Sequence, residues 1–485
     1  MKKLLATILS FACVATLGVT LSACEEEKEI INAYDIAVKN GFTGTEEEWL
    51  SSLKGANGNH GADLDINAVY EKAVEEGYDK GFLAFLKEYL SIEVQEDNDT
   101  QVLAQNVASV MSVCAGFKTT KTYQSGYWPN FGTQQQVSYT ASEGSAVIIE
   151  LNKEAGNAIV LTNYHVVYDA NSDGENGISD CIYLYPYGAR ERFYPGNQDA
   201  NGDGQVTEAD RGDVGGDGIK ATFIGGAMYY DIAILEISGS EYLKNSEATV
   251  AKIGSSETVE QGEKVFAIGN ANGLGISVTA GILSVPSENI EMSALDGSKT
   301  VQSFRVMRTD AAINHGNSGG ALFNVKGELI GITNAKSVED ETDALGYALP
   351  ITQISYVVEN IRANDTKNVQ VAWLGVTSTV TASKSVLNDN GTLDIVEEIT
   401  VAEVIKTTTA EGYKPGAGQD KLKVGDVLKS VKIGDKTYAI TRNYRLGELM
   451  LNARVGDTIT INVLREGVET PVEITLDKDD FITRK

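Results

Sequence analysis

The chain has 485 residues, more than one hydrophobic core usually organises, so two or three domains are expected. With 42% hydrophobic and 22% charged residues it can bury cores throughout, which excludes a disordered chain and a multi-span membrane protein. Its 40 Lys+Arg against 68 Asp+Glu leave a net charge of -28, which repels phosphate backbones and argues against nucleic-acid binding, while 49 Gly and 7 Pro indicate a β-rich chain with many turns.

Lys2 and Lys3, an apolar stretch from Leu4 to Leu21 and then small residues follow the order of a secretory signal. The run Leu21-Ser22-Ala23-Cys24 resembles a bacterial lipobox, which implies cleavage after residue 23 and diacylation of Cys24. An uncleaved anchor is the alternative, and either reading puts the remainder outside the cytoplasm, tethered to the bacterial cell membrane. Cys13 leaves with the signal, so Cys114 and Cys181 are the remaining thiols; a disulfide and two buried free thiols both fit an oxidising compartment.

Residues 24–98 read as a small helical N-terminal stalk. Tyr34, Ala37-Val38, Gly41-Phe42 and Trp49-Leu50 recur as Tyr70, Ala73-Val74, Gly77-Tyr78 and Phe85-Leu86, with apolar residues at helical spacing. A Gly- and Asn-rich joint from Gly55 to Gly61, containing His60, separates the two units. Beyond it, short β-branched runs such as Ser145 to Leu151 and Ala158 to Leu161 switch the pattern to strands.

Three motifs then follow in the order Thr162-Asn163-Tyr164-His165-Val166-Val167, Asp231-Ile232-Ala233-Ile234-Leu235 and Gly316-Asn317-Ser318-Gly319-Gly320. His, Asp and Ser in that order is the arrangement of two-barrel serine proteases, whereas other serine hydrolase folds begin with Ser or with Asp. A serine hydroxyl needs a base, so His165 is expected to take the proton of Ser318 and Asp231 to fix the imidazole tautomer. The turn Gly316-Asn317-Ser318 is expected to aim the amides of Gly316 and Ser318 at the developing oxyanion.

These stretches, together with Gly144-Ser145, Thr309-Asp310-Ala311-Ala312-Ile313-Asn314-His315, Gly331-Ile332-Thr333-Asn334 and Gly346-Tyr347-Ala348-Leu349-Pro350-Ile351, resemble the signature blocks of HtrA (Deg) serine proteases. The resemblance covers roughly residues 105–485. It implies a triad of His165, Asp231 and Ser318 in a cleft between two six-stranded barrels, no organic cofactor, unfolded or exported proteins as substrates, and a homotrimer. His315 and Ala321 stand where the family more often has Pro. Ala312 occupies the position of the trypsin pocket base, so no carboxylate awaits a Lys or Arg side chain, and a small or medium apolar P1 residue is expected.

His165 and Asp231 are 66 positions apart, and the stretch between them includes an acidic, glycine-rich insertion, 169–218. Asp199, Asn201, Asp203, Gln205 and Asp210 follow the spacing of a calcium loop and resemble a dockerin-type EF-hand loop, with Gly204 at the sharp turn. Asp169, Asn171, Asp173 and Asp180 repeat the scheme less completely, and an ordinary solvated loop with Asx turns fits them equally well. Structural Ca2+ is thus expected at the first set and stays open at the second.

In the C-terminal part, Trp373-Leu374-Gly375-Val376, Gly425-Asp426-Val427-Leu428 and Val455-Gly456-Asp457-Thr458-Ile459 resemble a PDZ domain. That resemblance implies strand addition of C-terminal peptides, with amides of the Leu374-Gly375 loop receiving the carboxylate. The expected fold is mostly β: a two-barrel chymotrypsin-like protease domain over 99–365 and a PDZ-like domain over 366–485, behind a signal peptide (1–23) and the stalk. The rival is a non-catalytic, calcium-stabilised surface scaffold or chaperone.

Overall fold

Alternating apolar and polar residues organise the chain from residue 110 onward into strands. The computed structural model describes residues 99–485, except 128–129, 294–300, 336–344, 365, 389–390, 409–413 and 485, and before them Thr43 alone. The signal segment, Cys24, the helical stalk and His60 lie outside the described residues.

After a short helix, α1 (Asp99–Val107), come β1 (Val110–Tyr127), β2 (Asn130–Asn152), β3 (Asn157–Thr162), β4 (Cys181–Pro186), β5 (Phe193–Tyr194), β6 (Gly212–Asp213), β7 (Ile219–Ala227) and β8 (Ile232–Ile237). Six of them close a barrel in the order β1-β2-β3-β8-β7-β4. Period-two alternation sends Met111, Val113 and Ala115 inward, against Ala146, Ile148, Val160, Leu184 and Leu235. On the opposite face of β1, Gly116 lies beneath the insertion: a Cβ there would come 3.1 Å from Phe193, and Arg211 donates to the Gly116 carbonyl at 2.8 Å. Cys114 and Cys181 sit in register two residues apart on β1 and β4, both buried as free thiols. Burial pushes both thiols upward and away from the reactive thiolate.

The second set of strands is β9 (Lys252–Ile253), β10 (Lys264–Gly269), β11 (Ser277–Ser293), β12 (Val301–Thr309), β13 (Ala321–Asn324), β14 (Glu328–Asn334) and β15 (Gly346–Pro350). They run in the order β13-β10-β11-β12-β15-β14-β9, and β13 also pairs with β14, which closes a second six-stranded ring. Val265, Ala267, Leu283, Met307, Leu322 and Ile330 fill it.

Helix α2 (Ile351–Asn364) leads to the last strands: β16 (Val369–Ala372), β17 (Val376–Leu387), β18 (Leu393–Val404), β19 (Val427–Ile433), β20 (Lys436–Ala439), β21 (Thr458–Arg465), β22 (Val468–Thr475) and β23 (Phe481–Arg484). Their main sheet is ordered β17-β18-β19-β21-β22, which makes β17 an edge strand, and a short helix, α3 (Arg445–Leu449), accompanies it. One buried ion pair ties this sheet's helix to the second barrel. Arg305 of β12 donates from Nη1 to both carboxylate oxygens of Glu448 at 2.8 Å and stacks 3.8 Å above the Tyr444 ring. Nη2 of the same guanidinium reaches Glu257 at 3.2 Å.

Removing one member of a buried pair strands its partner and costs about 3–5 kcal/mol. Glu448→Ala is therefore expected to lower the denaturant midpoint clearly, while Glu448→Leu combined with Arg305→Met recovers most of the loss. Equilibrium unfolding checks this, and an unchanged midpoint in the single variant would show that the pair adds nothing.

Candidate active site

Asp231 stands between β7 and β8, immediately before β8, in the left-handed region at φ 50° and ψ 43°, a conformation that Asp tolerates better than most residues. Its side chain is fully buried. A buried carboxylate must be matched by donors, and this one is. Oδ2 receives His165 Nδ1 at 2.7 Å and Asn334 Nδ2 at 2.8 Å, while Oδ1 receives the His165 backbone N–H at 3.0 Å. Asn163 Nδ2 donates to the Asp231 carbonyl at 2.9 Å, holding the left-handed turn from the other side. His165 itself lies in a single 3-10 turn, Tyr164–Val166, just past β3.

Ser318 approaches from the second barrel. Its hydroxyl accepts the Ala335 N–H at 3.1 Å, and its carbonyl accepts the Ser145 N–H at 2.7 Å. Among the described residues no hydrogen bond joins Ser318 to His165, so the fold brings the three side chains to one seam with only the His165–Asp231 half of the relay closed. Loose nucleophile–base contacts are common in the absence of substrate.

The expected oxyanion turn is tightly built. Gly316 and Gly319 have φ of +88° and +83°, which an L side chain rarely adopts. A Cβ on Gly319 would also lie 2.2 Å from the Ser145 carbonyl oxygen and 2.3 Å from Thr162 Oγ1. Asn317 is engaged within the turn, its N–H donating to the Asn314 carbonyl at 3.0 Å. The amides of Gly316 and Ser318 have no partner among the described residues. Just before the turn, the exposed His315 has its carbonyl fixed by the Asn272 N–H at 2.7 Å.

Four residues outside the expected triad prove structurally central. Ser145 Oγ donates to the Gly316 carbonyl at 2.7 Å and accepts the Asn270 N–H at 2.8 Å, joining the barrels beside the turn. Thr333 Oγ1 donates to the Asn317 carbonyl at 2.6 Å. Asn334 and Asn163 hold Asp231. All four lie inside or beside the sequence motifs, yet nothing in a single sequence tells a motif residue that supports the site from one that packs beneath it.

At the expected pocket base Ala312 is exposed and offers no charge, its carbonyl accepting Thr279 Oγ1 at 2.9 Å. The neighbouring Ile313 is half-buried, packed where a Cβ on Gly346 would lie 2.9 Å from its Cδ1.

The side-chain oxygens of the acidic segments accept backbone amides. Asp199 accepts the N–H groups of Gly202, Asp203 and Gly204, Asn201 Oδ1 and Asp203 Oδ1 each accept an amide two residues on, and the buried Asp210 accepts those of Ala200, Asn201 and Thr207. These amide bonds hold the Asp210 carboxyl below its usual range. Gln205 is exposed. Asp169 accepts Asn171, Asp173 accepts Thr120, and Asp180 pairs with Arg211 at 2.6 Å. Among the described residues no group of three or more His, Cys, Asp or Glu is arranged to hold a metal ion. An amide bond leaves a carboxylate oxygen with a further lone pair, so these bonds are compatible with calcium as well as with a plain solvated loop.

Trp373, Leu374, Gly375 and Val376 line a cavity of about 370 Å³ together with Tyr444 and Leu446. Its lining also includes Tyr229 and Tyr230, the residues directly before Asp231. The amides of Leu374 and Gly375 have no partner among the described residues, and Gly375 has φ +69°.

Two closed barrels with a His–Asp pair and a serine in their seam define a trypsin-like peptidase, and the family model described as Trypsin-like peptidase domain matches residues 144–332. Serine protease Do-like HtrA of Lactococcus lactis subsp. cremoris is 31% identical over 345 residues, 70% of this chain and 71% of that protein. Serine protease Do-like HtrB of Bacillus subtilis is 30% identical over 393 residues, 80% of this chain and 74% of that protein. A solved structure titled HtrA-type protease AlgW with tripeptide aligns over 80% of this chain and 97% of that one at 24% identity with a TM-score of 0.46, too loose a likeness to add to the argument. The chain belongs to the HtrA family of serine proteases. It is a serine endopeptidase.

Gly319→Ala is expected to abolish most peptidase activity, about 100-fold or more, because the turn must shift to relieve the clash with Ser145. Circular dichroism should stay native while hydrolysis of a casein reporter falls. Full activity in this variant would contradict the tightness of the turn.

Proposed function

We propose that Ser318 is the nucleophile of this endopeptidase, His165 its general base and Asp231 the group that holds the base. The observation carrying this reading is the doubly anchored imidazole. With Nδ1 and the backbone N–H of His165 both on Asp231, the Nε2 lone pair is the one left to accept the Ser318 proton. On substrate binding Oγ exchanges the Ala335 N–H for His165 and attacks the scissile carbonyl. The oxyanion then falls to the amides of Gly316 and Ser318. His165 passes its proton to the leaving amine, and water repeats the sequence on the acyl-enzyme.

The finer reading is a lipid-anchored, extracytoplasmic enzyme acting on misfolded or exported proteins. The lipobox-like run ending at Cys24 supports the anchor. The uncharged Ala312 and the packed Ile313 support a small or medium apolar P1 residue, and the edge strand β17 beside the unpartnered Leu374 and Gly375 amides supports capture of a peptide C-terminus. Calcium at Asp199–Asp210 is a separate proposal supported by ligand spacing alone; EGTA that leaves the melting temperature unchanged would remove it.

A fluorophosphonate probe should label wild type at Ser318 and leave Ser318→Ala unlabelled, with casein cleavage lost in parallel. Asp231→Asn should retain the fold and lose about 10⁴ in kcat, because the imidazole is left in the wrong tautomer. Labelling at another residue, or activity surviving in Ser318→Ala, would overturn the assignment. Cleavage sites in an unfolded protein should fall mainly after Val, Ala, Ile or Leu, and a preference for Lys or Arg would contradict the pocket reading.

A further inference from the structure

The last two residues of β14 and the residue after it lie against three different parts of the site in succession. Thr333 Oγ1 donates to the Asn317 carbonyl at 2.6 Å, Asn334 Nδ2 to Asp231 Oδ2 at 2.8 Å, and the Ala335 N–H to Ser318 Oγ at 3.1 Å. Asn334 differs from the other two in what it touches. It belongs to the second barrel, whereas Asp231 and His165 belong to the first, so its bond is the direct tie between the second barrel and the His–Asp pair. It is also 3% exposed and bonds to the same carboxylate oxygen as His165 Nδ1. Two N–H donors on one oxygen in a dry site fix that oxygen in position and share its negative charge.

We propose that Asn334 is a positioning residue of the protease: its side-chain amide aims Asp231 Oδ2 at His165 and, by sharing that oxygen's charge, moderates how strongly the carboxylate stabilises the imidazolium. The proposal rests on the reading of His165, Asp231 and Ser318 as the triad. Its sign follows from electrostatics. Taking the donor away leaves more of the carboxylate charge to the imidazole, which holds its proton more tightly. The acid limb of kcat/KM, which reports protonation of the base in free enzyme, must move to higher pH. At the same time the unheld carboxylate loses its fixed orientation, so kcat falls while KM, set by the substrate pockets, stays close to the parent value.

The test is the pH profile of the full chain, measured with an oligopeptide ester or amide substrate, for the parent, Asn334→Ala, Asn334→Leu and Asn334→Ser. Asn334→Ala should lower kcat about 10-fold with little change in KM and shift the acid limb upward. Asn334→Leu keeps the size of the side chain but offers no donor, and should shift the limb in the same direction. Asn334→Ser restores an O–H donor and should recover part of the loss. Acid limbs that superimpose on the parent's after scaling, or a change confined to KM, would overturn the proposal and leave Asn334 a packing residue. Should Asn334→Ala fail to fold, the near-isosteric Asn334→Leu carries the same decision. Fluorophosphonate labelling separates the two levels: a parent chain not labelled at Ser318 defeats the triad itself, whereas labelling with unchanged limbs defeats this proposal alone.

Discussion

A carboxylate that is fully buried can survive only where the fold supplies donors on every side, and in this protein that requirement falls on Asp231. It lies at the end of the first barrel in a left-handed conformation, and four donors converge on its side chain and carbonyl from two barrels and two segments of chain. Meeting the need of that one charge orients His165, closes the seam and fixes the end of β14. The same end of β14 then holds the serine and its turn. Stability and chemistry share these bonds, so the site cannot loosen without the seam between the barrels loosening too.

The glycines of the Ser318 turn obey a complementary constraint. Where Asp231 needs partners, Gly319 needs their absence of bulk, because the Ser145 carbonyl and Thr162 hydroxyl of the first barrel occupy the space a side chain would fill. Ser145 thereby works with its backbone and its hydroxyl at once, donating its N–H to Ser318 and its Oγ–H to Gly316. On the proposed mechanism, the amides of Gly316 and Ser318, without partners among the described residues, are what this crowding keeps for a reacting carbonyl.

Much of this was legible in the residues. The β-rich architecture could be read because strand periodicity and turn residues act locally, the paired barrels were implied by the family resemblance, and the His165, Asp231 and Ser318 motifs could be read because each needs a local chain conformation that only a few residue types permit. The roles of Asn334, Asn163 and Thr333 were not legible. A hydrogen bond spanning 103 residues between two barrels leaves no periodic trace in either segment. The acidic insertion reads the same two ways in the fold as in the sequence. Its Asp and Asn spacing is that of a calcium loop and in the fold those oxygens accept neighbouring amides, since an Asx turn and a ligand loop call for the same residues. Cys114 and Cys181 were open to pairing on composition, but their register on β1 and β4 leaves them as separate buried thiols.

The central claim is that a short, sheltered hydrogen bond from His165 Nδ1 to Asp231 organises the site. Proton NMR of the intact protein tests it most directly. The claim predicts one exchange-protected resonance far downfield of the amide envelope, assigned to His165 by ¹⁵N labelling and absent in Asp231→Ala. A spectrum with no such proton across the pH range where the enzyme is active, or one that persists without Asp231, would contradict it.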